Sequence, residues 1–516
     1  MPQQTRSSPA DPIWRIDLPS EQATEAFAAR LAEWLKPGDL VALSGDLGAG
    51  KTTLSRALIR SLTGDPALEA PSPTFTLMQT YDGPCYPIVH ADFYRIKHPD
   101  ELVNLGWDEA IEGALVLVEW PQRAEAALKP DRLEIALALA PQSGPEARRA
   151  ILTGHGAFAA RVVRARGIAS VLAEAGWSGA QRVFMQGDAS IRAYEKLIKP
   201  SGETAILMIS PPRPDGPILR YGKPYAAIAK LAEDIRAFIA MAEGLRAQGL
   251  STPRLYAHNI ADGVAVIEDL GDQFIAGQDG PIAERYGLAV DLLAELHSRA
   301  LPPELPVDGE TYAIRPYDAE AMLVEVELAL DWYAPYVAKV APASGARAQF
   351  LSVWRDALAP ILAEPTTWTL RDYHSPNLLW LPERDGLARI GLIDFQDCVL
   401  GPPAYDVAAL LQDARVDVGE ELELKLMAQY TRRRLAKDPA FDVAAFAAAY
   451  AAMGAQRATK ILGIFARLDR RDGKPQYLAH LPRIQRVLAK SLAHPLLSSI
   501  KMWHQTYLPQ ALGASE

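Results

Sequence analysis

The sequence predicts an α/β protein in two parts: a first domain built on a mostly parallel sheet, then a bilobal unit with a small β-rich lobe and a larger helical lobe. Three observations predict this organisation. Short apolar strands alternate with helical segments up to about residue 155, which is typical of parallel βαβ units. A glycine-rich loop joins the first strongly apolar strand to a helix. Strand-like runs then dominate residues 180–270, and helical patterns dominate from residue 282 onward.

The composition is that of folded domains. The chain has 516 residues, which at about 150 residues per domain suggests roughly three domains, or two with one large. Apolar residues make up 49% and charged residues 22%, enough for each part to bury a core. The net charge of −10 excludes a protein that grips nucleic acid through its whole surface.

Cysteine usage and hydropathy indicate where the protein works. Cys85 and Cys398 are the two cysteines, too few for a disulfide framework or a four-thiolate zinc site. We therefore expect a reducing cytoplasm. The N-terminus has no apolar signal segment. The longest uncharged apolar run, residues 443–455, is too short to span a bilayer, which predicts a packed helix and no membrane partner.

Each element of the first part follows from its local pattern. Residues 20–35 place Phe27, Leu31 and Trp34 on one helical face. The run from Lys36 to Asp39 contains Pro and Gly and predicts a turn. The other predicted elements of this part are a strand at 40–43, a helix at 52–62, and strands at 88–89, 114–118, 133–139 and 151–152.

The second part begins after a change of pattern near residue 157. We predict a first domain at 1–157, a linker at 158–175 and a second unit at 176–516. The linker carries Arg161, Arg164 and Arg166 with no acid until Glu174, a pattern typical of a solvated joining helix, with an RNA or partner contact as the alternative. The second unit divides into a small lobe at about 176–272 and a large lobe at about 273–516. Its predicted elements include strands at 183–185, 195–198, 205–209 and 264–268 and a helix at 229–247.

The first chemical motif is a phosphate-binding loop. Residues 45–53, GDLGAGKTT, fit the pattern G-x-x-x-x-G-K-[ST] between a strand and a helix. Glycines let backbone amides approach phosphate oxygens, and the helix N-terminus adds a favourable dipole. Lys51 would reach the β- and γ-phosphates of ATP, and the Thr52 hydroxyl would bind Mg²⁺. The predicted nucleotide contacts are Gly45, Asp46, Gly48, Ala49, Gly50, Lys51, Thr52 and Thr53.

Four further segments accompany this loop: SPTFT at 72–76, HADFYR at 90–95, LGWDE at 105–109 and VEWP at 118–121. Together with the loop they resemble the TsaE family over about residues 15–155. That family is the small P-loop ATPase needed for bacterial threonylcarbamoyladenosine modification of tRNA. The resemblance implies protein partners in the threonylcarbamoyl transferase complex, with tRNA engaged only indirectly.

The TsaE resemblance also implies roles for single residues. Asp92 would be a carboxylate on the Mg²⁺ shell, and Glu119 would position or activate the attacking water. Trp120 would lie beside the nucleotide, and Thr74 belongs to the switch-like loop of the family. Simpler interpretations stay open: Asp92 as a turn cap, Glu119 as a solvated strand end, Trp120 as ordinary core. The whole domain could also serve as a partner-binding module with negligible hydrolysis of its own.

The second chemical motif is a kinase-type catalytic loop. Asp372 precedes Asn377 by five residues between two short apolar runs, and Asp394 follows in the sequence IDFQD. The kinase catalytic loop requires this spacing, because its Asp accepts the proton of the substrate hydroxyl while the Asn holds Mg²⁺ beside it. The segment around Asp394 resembles the D-F-G element of kinases, whose Asp bridges metal and phosphates. The sequence thus predicts Asp372 as the base and Asn377 and Asp394 as metal ligands.

Residues of about 168–510 resemble the aminoglycoside-phosphotransferase group of small-molecule kinases, which have a bilobal, protein-kinase-like fold. The supporting segments include GDAS at 187–190, VIEDLG at 266–271, the catalytic loop and LGIFARL at 462–468. More narrowly they resemble the AmgK-like anomeric kinases for N-acetylmuramate and N-acetylglucosamine in cell-wall recycling. The resemblance implies an amino-sugar substrate and a second ATP site. That site would use Ser190 and Arg192 over the phosphates and Glu268 and Leu270 at the hinge.

One departure from the kinase pattern concerns the lysine of the third small-lobe strand. The strand at 205–209 has no lysine, and Met208 is the nearest match in register. Either Arg192 or Lys196 would supply the missing charge, or the unit is a pseudokinase. Another acceptor, such as an aminoglycoside, choline or homoserine, also stays open. Arg457, Lys460 and Arg467 on a late helix either meet the carboxylate of a sugar acid or form an ion-paired, solvated face.

Overall fold

The computed structural model describes residues 11–98, 100–185, 192–212 and 216–513. The chain divides into two compact units, Met1–Ser170 and Val171–Glu516. No helix in these ranges is long and apolar enough to cross a membrane. The predicted linker forms most of the helix Phe158–Glu174, and its Phe158 and Val162 pack in the core of the first unit.

The first unit contains a mixed sheet in the order β1-β7-β6-β2-β5-β4-β3. Its four central strands, β6, β2, β5 and β4, run parallel, and antiparallel strands extend the sheet on both edges. The predicted α/β fold is therefore confirmed, with the parallel pairing concentrated at the centre. The described strands are β1 (Ile13–Leu18), β2 (Leu40–Ser44), β3 (Met78–Asp82), β4 (Pro87–Asp92), β5 (Leu115–Glu119), β6 (Arg132–Leu139) and β7 (Arg148–His155).

Helices cover both faces of this sheet because its central strands are apolar on both sides. Val41 and Leu43 of β2 belong to one core and Leu40 and Ala42 to the other, as expected for a strand with a period of two. Ser20 caps the first helix by accepting from the Ala23 amide. The described helices of this unit are α1 (Glu21–Ala32), α2 (Lys51–Thr63), α3 (Asp100–Asn104), α4 (Trp107–Ala110) and α5 (Phe158–Glu174).

The second unit has the predicted small β-rich lobe. Its main sheet is antiparallel in the order β13-β14-β10-β9-β8, and its remaining strands form short pairs. The described strands are β8 (Gln181–Met185), β9 (Ala193–Ile198), β10 (Thr204–Ile209), β11 (Ile218–Arg220), β12 (Lys223–Pro224), β13 (Leu255–Asn259), β14 (Val264–Glu268), β15 (Ala276–Gly277), β16 (Gly280–Pro281), β17 (Glu304–Val307), β18 (Glu310–Ala313), β19 (Thr367–Thr369), β20 (Leu378–Trp380), β21 (Ile390–Leu392) and β22 (Val399–Gly401).

The large lobe is helical, as predicted, and one continuous core joins it to the small lobe. The helix predicted at 229–247 begins only at Arg236, because Lys230 adopts a left-handed conformation (φ 57°) that a right-handed helix does not accommodate. The described helices are α6 (Tyr225–Ile228), α7 (Arg236–Ala247), α8 (Ala283–Leu296), α9 (Ala319–Leu328), α10 (Ala334–Tyr336), α11 (Ser344–Leu362), α12 (Ala404–Leu411), α13 (Glu420–Lys437), α14 (Val443–Asp472), α15 (Leu481–Ser491) and α16 (Ser498–Tyr507).

Candidate functional sites

The phosphate-binding loop has the backbone that its glycines predict. Gly45, Gly48 and Gly50 have φ values of 137°, 79° and 103°, which L side chains rarely adopt. A Cβ on Gly45 would also lie 2.3 Å from the carbonyl oxygen of Leu137. The loop therefore requires glycine at residue 45 for space as well as for conformation.

The Lys51 ammonium lies inside its own loop. Its Nζ donates to the carbonyl oxygens of Gly45 at 2.8 Å and Asp46 at 2.9 Å. It also lies 3.8 Å from the centre of the Trp120 ring, a cation–π contact. Burial lowers the pKa of Lys51. The two residues predicted to flank the nucleotide phosphates thus contact each other.

Glu119 ends β5 with a buried carboxylate that three side chains share. Thr52 Oγ1 donates to its Oε2 at 3.0 Å, and Ser55 Oγ donates to its Oε1 at 3.2 Å. His90 Nε2 lies 3.0 Å from the same Oε1. Thr52 therefore contacts Glu119, whereas the sequence analysis placed Thr52 and Asp92 together on a metal ion.

Asp92 accepts hydrogen bonds from the segment that contains Thr74 and from the residues that follow β4. Its Oδ2 accepts from the hydroxyls of Ser72 and Thr74, both at 2.7 Å, and its Oδ1 accepts from the Tyr94 amide at 2.9 Å. Asp92 is a register partner of Glu119 across β4 and β5, so both carboxylates lie at the carboxyl edge of the parallel strands.

The other residues predicted around the loop occupy the same neighbourhood. Ala49 is buried and its carbonyl accepts from Arg148 Nε at 3.1 Å, while Thr53 lies half-buried on the first turn of α2. Ser55 and Ser72 were not singled out from the sequence. Ser55 follows Thr52 by three residues, so helical spacing was the signal that places both hydroxyls on one face.

The catalytic loop of the second unit lies between β19 and β20. Asp406 holds its backbone by accepting from the amides of Leu370 at 2.6 Å and Arg371 at 2.9 Å. Burial raises the pKa of Asp406 to about 7. Arg371 adopts a left-handed conformation with φ 69°, a strained geometry that these bonds maintain.

Asp372, Asn377 and Asp394 come together at this loop. Asn377 Nδ2 donates to the Asp372 carbonyl at 3.0 Å and lies 3.5 Å from Asp394 Oδ2. Asp394 follows β21 and also accepts from Gln396 Nε2 at 2.7 Å. Within the described ranges no group donates a hydrogen bond to the Asp372 carboxylate; His374 Nε2 stands 3.9 Å from its Oδ1.

The electrostatics of this cluster fit a divalent cation. Burial raises the pKa of Asp394, and the negative charge of Asp372 raises it further. The Asp394 carboxylate and the Asn377 amide oxygen are hard ligands that suit Mg²⁺, which is bound through one or two carboxylates plus substrate phosphates. No three His, Cys, Asp or Glu side chains among the described residues are grouped as a metal site.

The small-lobe side of this site is partly described. Ser190 lies outside the described residues, while Arg192 Nη1 lies 3.3 Å from Asp394 Oδ1. Lys196 instead pairs with Asp269 at 2.9 Å. Met208 is buried in β10, in the strand where kinases carry a lysine. Of the two small-lobe candidates for the missing charge, Arg192 contacts the catalytic cluster and Lys196 does not.

The predicted hinge follows β14. The Glu268 amide donates to the Arg254 carbonyl at 2.8 Å, and its side chain accepts from the Arg254 amide at 3.1 Å and Arg384 Nη2 at 2.6 Å. Leu270 lies two residues on and is half-buried. The structure therefore places both residues between the lobes without showing a nucleotide contact.

Sequence analysis missed Glu325. This carboxylate is fully buried, and Arg371, Lys460 at 2.8 Å, Tyr317 and Gln456 at 3.0 Å all contact it. The signal available was an acid inside the apolar helix sequence AMLVEVEL, since a charge in a buried helix needs a partner. Apart from Tyr317, its partners lie far away in the sequence, Arg371 at 46 positions and Gln456 at 131.

Fold and sites together define the class of this protein: a phosphate-loop ATPase domain followed by a kinase-type phosphotransferase domain. The family model "Threonylcarbamoyl adenosine biosynthesis protein TsaE" matches residues 18–150. The model "Phosphotransferase enzyme family" matches residues 184–447. The chain belongs to the phosphotransferase enzyme family and carries a TsaE-family domain at its N-terminus, so it is a fusion of the two.

Individual relatives agree with this division. The chain is 40% identical over 355 residues to the N-acetylmuramate/N-acetylglucosamine kinase of Caulobacter vibrioides, covering 66% of this chain and 96% of that protein. It is 45% identical over 120 residues to the tRNA threonylcarbamoyladenosine biosynthesis protein TsaE of Rickettsia typhi, covering 23% and 83% respectively. The Pseudomonas aeruginosa kinase of the same name is 28% identical over 320 residues, covering 61% and 84%.

Proposed function

We propose that the second unit transfers the γ-phosphoryl group of ATP to the anomeric hydroxyl of N-acetylmuramate and N-acetylglucosamine, in cell-wall recycling. The observation that carries the proposal is the Asp372 carboxylate, which accepts no hydrogen bond from the described residues and stands beside Asn377 and Asp394. The supporting comparison is the kinase of that name at 40% identity. A free carboxylate next to two metal-binding groups is the arrangement of a kinase base.

Asp372 would orient the sugar hydroxyl and accept its proton. The hydroxyl oxygen attacks the γ-phosphorus, the bond from that phosphorus to the bridging oxygen breaks, and ADP leaves. Asn377 and Asp394 would hold Mg²⁺, which when bound neutralises charge that develops on the phosphoryl group. Arg192 would supply the positive charge that the third strand lacks, and Glu268 and Leu270 would receive the adenine.

The first unit would bind a second ATP and hydrolyse it in support of threonylcarbamoyladenosine modification of tRNA. Lys51 would reach the β- and γ-phosphates, and Thr52 and Asp92 would hold Mg²⁺. Glu119 would orient the attacking water, and Trp120 would lie beside the nucleotide. The partners would be proteins of the threonylcarbamoyl transferase complex, with tRNA contacted only through them, in the cytoplasm. The identity of 45% to a TsaE protein supports this part.

The kinase proposal is tested by phosphorus NMR of ATP mixed with each sugar. We expect an anomeric phosphate with the wild-type chain and a rate about 10²- to 10⁴-fold lower with Asp372→Asn, the range for loss of a general base. A matched control is Asp385→Asn, an exposed acid of the same lobe. Wild-type protein that phosphorylates neither sugar would leave a kinase for another small molecule, or a pseudokinase.

The ATPase proposal is tested by phosphate release with and without the purified threonylcarbamoyl transferase complex. We expect low turnover by the chain alone and a rise when the complex is added. Turnover that the complex does not change, with no association between the two, would refute the proposed partnership. Association without any turnover would show that the domain is a binding module.

A further inference from the structure

Helix α14 carries three cationic side chains along one line, which we call the cationic stripe: Arg457, Lys460 and Arg467. Residues three and ten positions apart on an α-helix lie within about 80° of each other around its axis. The stripe adjoins the catalytic loop at one end, since Arg457 Nη1 donates to the Arg371 carbonyl at 3.3 Å. Nothing in the proposed chemistry of Asp372 uses these three charges.

Lys460 and Arg371 share one carboxylate. Both contact Glu325, which is fully buried, with Lys460 Nζ at 2.8 Å. Lys460 and Arg371 thus have Glu325 as a common ion-pair partner, and the carboxylate of Asp397 adds negative charge near Arg371. Tyr317 and Gln456 complete the bonding of Glu325.

Arg457 adds a further positive charge. Its residue exposure is only 5%, and in the described part of the chain no carboxylate forms an ion pair with it. Its Nη1 donates to the carbonyl of Arg371, its Nε is buried with no partner, and Tyr405, Asp372 and Asp413 lie close enough to stabilise its charge. Buried charges in proteins are paired or hydrogen-bonded, so Arg457 is a buried cation held at the catalytic loop.

Arg467 repeats the same feature ten residues further on. Its Nε is also buried without a hydrogen-bond partner, and its guanidinium lies 5.7 Å from the ring centre of Tyr225. Among the described residues it forms no ion pair. Lys460 contacts Glu325, and Arg457 contacts the catalytic loop. Arg467 lies in the field of Asp472 without an ion pair to it, so it is the member of the stripe best placed to take an external anion.

We propose that Arg467 binds the carboxylate of the acidic sugar, and that Arg457 and Lys460 strengthen the positive potential around it. This inference deepens the proposed kinase function and rests on it. N-acetylmuramate carries a carboxylate and N-acetylglucosamine does not, so the stripe would decide how well the enzyme uses the acid relative to the neutral sugar. Arg is suited to this role because its planar N–H groups match a carboxylate.

The location supports an acceptor subsite. Side chains on a helix lean towards its N-terminus, so Arg467 leans towards Lys460 and Arg457, whose charges help lower the pKa of Asp372 against the opposing effect of burial. Tyr225 contacts Arg467 with its ring and lies in the field of Glu325 and Lys460. The stripe therefore runs from the proposed base to Arg467.

The test measures kcat/KM for both sugars in the wild type, Arg467→Gln and Arg471→Gln. Arg471 is a matched control because it lies one turn further along α14, is more than half exposed, and already pairs with Asp472 at 2.7 Å. We expect Arg467→Gln to lower kcat/KM for N-acetylmuramate by about 10- to 100-fold, mainly through KM, as for loss of a charged hydrogen bond. N-acetylglucosamine should change by less than about twofold, and Arg471→Gln should change neither sugar.

Three outcomes would overturn the inference. Equal losses on both sugars would mean that Arg467 serves the fold or the transferred phosphoryl group. No change on either sugar would mean that it contacts no substrate. After either of these two outcomes the proposed kinase function would still hold. If the wild-type protein is inactive on both sugars, the proposed function and this inference are both wrong. Arg467→Lys should recover part of the N-acetylmuramate activity if charge is what matters, and a variant that merely misfolds would not show this selective recovery.

Discussion

The two candidate sites differ in how far their charged side chains are hydrogen-bonded within the protein. In the first unit Lys51 is held by two carbonyl oxygens of its own loop, and Glu119 by Thr52, Ser55 and His90. In the second unit the Asp372 carboxylate receives no hydrogen bond from the described residues. The nearby carboxylate of Asp394 adds to the negative charge of this cluster.

This difference indicates what each site needs from its ligand. Phosphate binding in the first unit has to replace the bonds of Lys51, and each hydrogen bond to a charged group is worth about 1.5–3 kcal/mol. ATP binding at the first site is therefore expected to depend on partners that favour the release of Lys51 from the carbonyl oxygens of its loop. The second site instead has one carboxylate, Asp372, without a hydrogen-bond donor among the described residues, and a bound ligand would stabilise it.

Glu119→Gln is expected to have the largest effect and tests the role of Glu119 in the first site. If Glu119 orients the attacking water, ATP hydrolysis in the presence of the partner complex should fall by about 10²-fold or more. Binding of a fluorescent ATP analogue should persist, because the phosphate-loop backbone is untouched. Glu112→Gln, an exposed acid of the same unit, is the control, and hydrolysis that matches wild type in Glu119→Gln would contradict the role.

Lys51→Ala tests whether the two sites work independently. We expect about 10- to 100-fold weaker ATP binding at the first site, since one charged contact is lost. Titration with a fluorescent ATP analogue should then show one tight site fewer than in the wild type. Sugar phosphorylation should be unchanged; a parallel loss of kinase activity would show that the sites are coupled.

Arg192 and Lys196 are the two candidates to replace the missing lysine of the second site. Arg192 contacts Asp394, whereas the charge of Lys196 is engaged by Asp269. Arg192→Gln should therefore raise KM for ATP by about tenfold, and Lys196→Gln should change it by less than twofold. Steady-state kinetics with varied ATP concentration measures both KM values. A larger increase in Lys196→Gln than in Arg192→Gln would identify Lys196 as the substitute for the missing lysine.

A separate prediction concerns the acid stability of the second unit. Burial lowers the pKa of His297 to about 3, while its Nδ1 lies 2.9 Å from the Tyr430 hydroxyl. Below pH 6.5 the imidazole of His297 is protonated in the unfolded chain but stays neutral in the folded chain. The free energy of unfolding therefore falls as the pH drops. From pH 7 to 5 the loss from this group is about 2 kcal/mol.

His297→Asn should remove that part of the pH dependence, because Asn does not titrate. Urea unfolding followed by tryptophan fluorescence at pH 7 and pH 5 measures it. His98→Asn, an exposed position in the first unit, should keep the wild-type dependence. An unchanged difference between pH 7 and pH 5 in His297→Asn would mean that His297 is protonated in the folded protein.

The local motifs could be predicted because their chemistry depends on short spacing. The phosphate loop needs glycines and a lysine within nine residues, and the catalytic loop needs Asp372 five residues before Asn377. The strand and helix that flank the phosphate loop and the two apolar runs that flank the catalytic loop were also predicted, since apolar patterns indicate such elements directly. The late start of α7 was missed, because the left-handed Lys230 has no signal in hydrophobic periodicity.

The amino-acid pattern alone was enough to predict the two-part fold, the two phosphate-binding motifs and the candidate residues. Which buried polar groups meet depends on how the elements pack. Glu119 pairs with Thr52 across 67 positions of the chain, and Glu325 with Gln456 across 131. Buried charges must find opposite charges or hydrogen-bond donors, but many partners satisfy that need and spacing does not choose among them. The packing of β5 on α2, and of α9 on α14, makes the choice.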